Sequence, residues 1–151
     1  MQELVCLGWR EYLSLPDLGI LRIRAKVDTG ARTSSLHVDD YETFRQDGAL
    51  WVRFSITPHK KATVVTVSCP VADERRVIDS GGHASQRIFI RSTLRLAGVD
   101  VPIELNLASR DGMRFPMLLG RTAMQGRFTV DPAHSYLHKR ASTALHAQGR
   151  P

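Results

Sequence analysis

From Leu21 to Val27 the chain alternates strictly, with Leu21, Ile23, Ala25 and Val27 on one side and Arg22, Arg24 and Lys26 on the other, and the pattern then breaks at Asp28-Thr29-Gly30-Ala31. Period-two alternation describes a half-buried strand and is incompatible with an amphipathic helix. The same period returns at Leu50, Val52, Phe54 and Ile56, and again at Val101, Ile103, Leu105 and Leu107. Thr63 to Val71 is rich in β-branched residues, and Arg87 to Leu96 carries Ile88, Ile90, Leu94 and Leu96. Two turns are readable, Leu15-Pro16-Asp17-Leu18-Gly19 after the first strand and Ala97-Gly98-Val99-Asp100 within a hairpin. No segment shows a long helical stripe. Arg121 to Gln125, closed by Gly126, is the best short helix. The expectation is an all-β fold of eight or nine strands with one short helix.

Bulk properties narrow the class without choosing a function. A chain of 151 residues fits one domain. We place that domain at 1–137 and read 138–151, which loses apolar alternation and gains basic and small residues, as a flexible basic tail. No apolar run reaches membrane-spanning length, and Met1-Gln2-Glu3-Leu4-Val5-Cys6 does not read as a secretory leader, so a cytoplasmic protein without membrane contact is expected. Cys6 and Cys69 have no C-x-x-C spacing and read as reduced, half-buried strand residues. The net charge of +6 favours acidic partners of any kind, nucleic acid, polypeptide or ribosomal surface.

Asp28 sits where a strand must open into a loop, and Gly30 permits the tight turn. Asp followed by Thr and Gly is good turn chemistry in any protein, so the downstream Met117-Leu118-Leu119-Gly120 matters to the reading. Two carboxylates close enough to share one proton form an acid-base pair that activates water. One chain supplies one such aspartate, and a two-fold dimer would bring two copies of Asp28 together. Asp79-Ser80-Gly81, after Val77-Ile78, is the internal competitor, but no second apolar-apolar-Gly segment accompanies it. We read Asp79, Ser80, Gly81, Gly82 and His83 instead as a loop tip able to act as a flap. His37 and His83 read as loop or interface residues, Arg22, Arg24 and Lys26 as a solvated strand face, and Trp9 and Trp51 as packing residues.

These segments carry a family resemblance. Asp28-Thr29-Gly30-Ala31 with Leu118-Leu119-Gly120-Arg121 resembles the paired signatures of retropepsin-like aspartic proteases. Gly8-Trp9-Arg10, the run Lys26 to His37, Arg110 to Arg121 and Phe128-Thr129-Val130-Asp131 look more closely like the bacterial branch labelled ATP-dependent zinc protease. The resemblance implies a closed retropepsin-like β-barrel, a homodimer and Asp28 as the catalytic residue. Thr29, Gly30, Ala31, Leu119, Gly120 and Arg121 would support the catalytic loop. Arg32 follows the tetrad where retroviral enzymes commonly carry an acidic residue, so their substrate-backbone contact and interface ion pair do not transfer.

Zinc and ATP find no support in the residues, since the chain has neither an H-E-x-x-H helix nor a G-x-x-x-x-G-K-S/T cradle. His134 and His138 do not read as metal ligands, because Pro132 and the strand-like pattern around them argue against a shared helix face. The expected site therefore holds no cofactor, and the ATP wording points to an associated ATP-grasp peptide ligase that adds glutamates. The expected function is an aspartic endopeptidase-like hydrolase cleaving a peptide or glutamyl-peptide bond, with water activated between two Asp28 carboxylates. Its substrate would be a peptide or protein, acidic or glutamylated. The alternative is a non-catalytic basic β-barrel binding an acidic peptide, ribosomal protein or RNA.

Overall fold

The computed structural model describes residues 3–59, 61–78, 81–109 and 114–138. Twelve strands are defined among them: β1 (Val5–Leu7), β2 (Arg10–Leu15), β3 (Ile20–Val27), β4 (Ser34–Val38), β5 (Asp40–Gln46), β6 (Ala49–Ile56), β7 (Val65–Pro70), β8 (Asp73–Ile78), β9 (Ala84–Leu96), β10 (Val99–Ser109), β11 (Met117–Leu119) and β12 (Phe128–Val130). One short helix, α1 (Arg121–Met124), lies where the sequence places it, with Gly126 at φ 77° just beyond. The chain is all-β, as expected, but more finely divided than alternation alone reveals.

A seven-stranded sheet runs β10-β4-β11-β3-β2-β9-β8, and β9 also pairs with β10. The pairings therefore form a cycle, yet the strands do not stand evenly round one axis, and the expected closed barrel is corrected to a sheet folded back on itself. The reason lies in one seam. β9 and β10 pair continuously from Val99↔Leu96 to Asn106↔Phe89, whereas β2 meets β9 only at Ser14↔Arg95. A second sheet, β5-β6-β7, folds against the first and contributes Val52, Phe54 and Ile56 to one continuous core with Leu13, Ile23, Leu36, Ile90, Leu105 and Met117. β1 and β12 form a small parallel pair at the remaining end.

The alternation of β3 needs one correction. Leu21, expected on the core face, is 75% exposed, and Ile20 takes that place. The cause is a bulge: β2 advances from Leu13 to Leu15 while β3 moves from Ile23 to Ile20, so the extra residue throws Leu21 outward. The hairpin between β9 and β10 turns at Ala97 and Gly98, both with positive φ, as a tight two-residue connection requires. The two cysteines are free, with Cys69 partly buried and Cys6 exposed rather than half-buried.

Candidate active site

The site arises from an interruption in strand order. β3 ends at Val27 and the chain returns as β4, but the two do not pair, because β11 occupies the place between them. β11 runs parallel to β3 through Met117↔Ala25 and Leu119↔Val27, and antiparallel to β4 through Met117↔Leu36 and Leu118↔Ser35. The loop 28–33 must therefore arch over the end of β11.

Hydrogen bonds fasten the arch to the segment beneath it. The Asp28 N–H donates to the Leu119 carbonyl at 2.9 Å, the Arg121 N–H to the Ala31 carbonyl at 2.8 Å, and the Thr122 N–H to the Arg32 carbonyl at 3.1 Å. The Gly120 N–H donates to Ser34 Oγ at 3.0 Å. A Cβ on Gly120 would stand 2.5 Å from both the carbonyl carbon and the oxygen of Thr33, so only glycine allows this approach. Leu119, Gly120 and Arg121 thus lie against the Asp28 loop, and the Arg121 guanidinium reaches the Gly30 carbonyl at 3.4 Å. Within the loop, the Gly30 N–H donates to Asp28 Oδ1 at 2.9 Å and the Ala31 N–H to the Asp28 carbonyl at 3.3 Å. Asp28 is half-buried, while Thr29 and Gly30 are exposed at the crest.

Asp28 opens onto a groove of about 1060 Å³. Arg32, Arg75, Arg76, Arg87 and Arg121 line it, against two carboxylates, Asp28 and Glu104. Glu104 is already engaged: Arg75 grips it with two parallel bonds of 2.9 and 3.0 Å and holds Asp73 at 2.6 Å. Those hydrogen bonds push the Arg75 guanidinium further above its ordinary range and hold Asp73 below the usual carboxylate range. Arg32 and Arg76 are exposed and carry no ion pair among the described residues. The floor is polar and buried. Asn106, 1% exposed, accepts from Ser35 Oγ and from Arg87 Nη1 at 2.9 Å each, and donates to Thr33 Oγ1 at 3.3 Å and the Ser34 carbonyl at 3.2 Å.

The hairpin of β8 and β9 bounds the groove through Val77 and Ile78. Gly81, Gly82 and His83 lie exposed at its turn, with Gly82 at φ 83°, which is glycine's region. Asp79 and Ser80, the rest of the expected flap, lie outside the described residues.

His37 is not the loop or interface residue the sequence suggests. It is a buried member of β4, 6% exposed, with Nδ1 2.5 Å from the Phe115 carbonyl. Burial pushes its pKa down, the Phe115 carbonyl opposes that, and nearby Arg87 adds to the depression. His134 Nδ1 pairs with Asp131 Oδ2 at 2.8 Å, and His138 Nε2 with the Cys6 carbonyl at 2.7 Å. Among the described residues no cluster of three or more histidine, cysteine or acidic side chains is placed to hold a metal ion.

A strand-turn carboxylate braced by an apolar-apolar-glycine segment is the arrangement of a retropepsin-like domain. The family described as retropepsin-like aspartic endopeptidase RimB matches residues 6–141, and the chain belongs to that family. A protein of Desulfotalea psychrophila named probable alpha-L-glutamate ligase is 45% identical over 129 residues, covering 84% of this chain and 28% of its own length. One of the same name from Parasynechococcus marenigrum is 41% identical, covering 90% of this chain and 30% of its own length. The chain thus spans under a third of the curated relatives it matches. The crystal structure of a Legionella pneumophila protein of unknown function superposes with a TM-score of 0.74 at 26% identity, covering 89% of this chain and 98% of that one.

The relatives' names correct the functional expectation. The family carries the endopeptidase description, but the curated relatives are named neither for a self-contained endopeptidase working between two Asp28 carboxylates nor for a non-catalytic RNA- or peptide-binding barrel; they are named probable alpha-L-glutamate ligase. The groove is consistent with the correction, since among the described residues arginines surround Asp28, and the one other lining carboxylate, Glu104, is bound to Arg75.

Proposed function

We propose that this chain serves a glutamate-ligation system as the domain that takes hold of a glutamate-bearing polypeptide, with Asp28 as the group that exchanges a proton with it. The ligation step itself is assigned to an associated ligase of the ATP-grasp type. The observation that carries the reading is the charge of the groove: among the described residues, five arginines and one carboxylate outside any ion pair, Asp28, face about 1060 Å³ of space. Glutamyl side chains are complementary to that set, because arginine's planar fork matches a carboxylate with two parallel hydrogen bonds. Arg32 and Arg76, without ion pairs among the described residues, are the arginines best placed to receive them.

The test separates holding from chemistry. Charge reversal at Arg32→Glu with Arg76→Glu is expected to weaken tetraglutamate binding at this groove by about a hundredfold, since like charges then face the ligand. Asp28→Asn is expected to keep that binding. In a mixture of ligase, ATP, glutamate and acceptor peptide, it should give the glutamate-tail distribution seen by mass spectrometry without the chain. Unchanged binding in the double variant contradicts the reading, and release of free glutamate from a glutamylated peptide by the chain alone would restore the hydrolase.

A further inference from the structure

A second groove, of about 820 Å³, shares His37 with the first and lies along β3, the segment after β6 and the segment before β11. Its charged lining is one-sided. Arg24, Lys61, Arg114 and His59 contribute positive or protonatable groups, and among the described residues no aspartate or glutamate lines it. Asp39 accepts a bond from the lining residue Thr57 at 2.8 Å.

The groove is also framed. Arg24 lies over the Phe115 ring, 4.6 Å from its centroid, and donates to the Arg114 carbonyl at 2.9 Å, so its guanidinium is held rather than free to wander. The backbone is pinned by bonds from the His37 N–H to the Pro116 carbonyl at 2.8 Å and from the Ala62 N–H to the His59 carbonyl at 2.9 Å. Lys61, His59 and Arg114 are exposed. A preset guanidinium beside exposed cations suits an anionic chain with several charges, because that guanidinium needs little ordering on binding.

The aromatic groups decide between acidic polypeptide and nucleic acid. Reading unpaired bases requires open ring faces for stacking. Here Arg24 covers Phe115, while Arg22 covers Tyr12 at 3.9 Å and Tyr136 stacks against Tyr12 at 4.7 Å. The rings hold arginines in place, and carboxylates are the groups those arginines fit.

We propose that this second groove is a docking site for an acidic polypeptide segment, separate from the Asp28 groove and independent of any chemistry at Asp28. Calorimetric titration of the full chain with tetraglutamate tests it. Two peptides should bind per chain. Lys61→Glu with Arg114→Glu, both exposed positions, should weaken one of the two sites by at least about tenfold and leave the other. Arg32→Glu with Arg76→Glu should remove the other one, so a failure of that arm falls on the Asp28 groove alone. Carbodiimide coupling provides a second measurement, with the peptide's carboxylate expected in an amide with Lys61 Nζ. Two sites of unchanged affinity in the Lys61/Arg114 variant overturn the proposal. So does an octauridylate RNA that binds more tightly than tetraglutamate and loses its binding through the same two changes, which would make this a nucleic-acid site.

Discussion

Asp28 and Glu11 are two carboxylates in segments packed on glycines, Gly120 and Gly8, that leave no room for a side chain, and they are put to opposite use. Glu11 is 0% exposed and accepts three backbone N–H groups, from Gly8 at 2.7 Å and Leu137 at 3.0 Å on Oε2 and from His138 at 3.0 Å on Oε1. It ties the segment after β12 to the start of the chain, where a Cβ on Gly8 would stand 2.5 Å from the His134 carbonyl oxygen. Asp28 is half-buried and accepts one backbone N–H, from Gly30. A buried carboxylate surrounded by donors holds the chain in place. One with an oxygen left towards an arginine-lined groove remains available to a substrate.

The contrast breaks most visibly if Glu11 proves dispensable. Glu11→Ala leaves three backbone donors without their acceptor, and we expect a loss of about 4 kcal/mol in stability by urea unfolding. Gly120→Ala drives a Cβ into the Thr33 carbonyl, and should cost about 3 kcal/mol while displacing the Asp28 loop. Asp28→Asn is expected to change stability by less than about 0.5 kcal/mol, the range of positions outside the packed core. A large loss there would place Asp28 with Glu11 among the structural carboxylates.

His37 sharpens the same comparison through pH. Its folded pKa is depressed below the ordinary 6.5, so the unfolded chain takes up a proton first as pH falls. The stability tied to neutral His37 is complete above about pH 6.5 and is lost as pH drops through the folded value. Unfolding at about pH 5 and about pH 7.5 should therefore differ more for the wild type than for His37→Asn, which keeps a donor towards the Phe115 carbonyl.

What the sequence revealed follows from how each element is buried. β3, β6 and the β9–β10 hairpin have one face in the core, so their alternation is visible, and the Asp28 loop with Leu119-Gly120-Arg121 carries its own turn chemistry. β4 is hidden because Ser34, Ser35 and His37 are buried along with Leu36 and Val38, leaving no apolar-polar contrast to read. β8 escapes for the opposite reason, since Asp73-Glu74-Arg75-Arg76 on a sheet edge resembles a solvated loop. β1, β11 and β12, three residues each, are too short to show a period.

The arginine lining was legible only in part. Arg32 and Arg121 stand in and against the Asp28 loop, whereas Arg75, Arg76 and Arg87 come from β8 and β9, and only the register of that strand pair, Arg75↔Arg87 and Arg76↔Gln86, brings them to the groove. Asn106 stands in the sequence among the polar residues that alternate with the apolar face of β10. Its pairing opposite Ser35 in β4 is what buries it as the groove's floor.

The central claim is that the Asp28 groove receives a glutamate-bearing polypeptide. Nuclear magnetic resonance titration of the isotope-labelled chain with tetraglutamate tests it directly, because the Gly30, Ala31 and Val77 amides report on the loop and the hairpin that bound the groove. Saturable shifts at those three amides, suppressed by Arg32→Glu with Arg76→Glu, are the predicted result. No movement at Gly30 and Ala31 at saturating peptide would contradict the account.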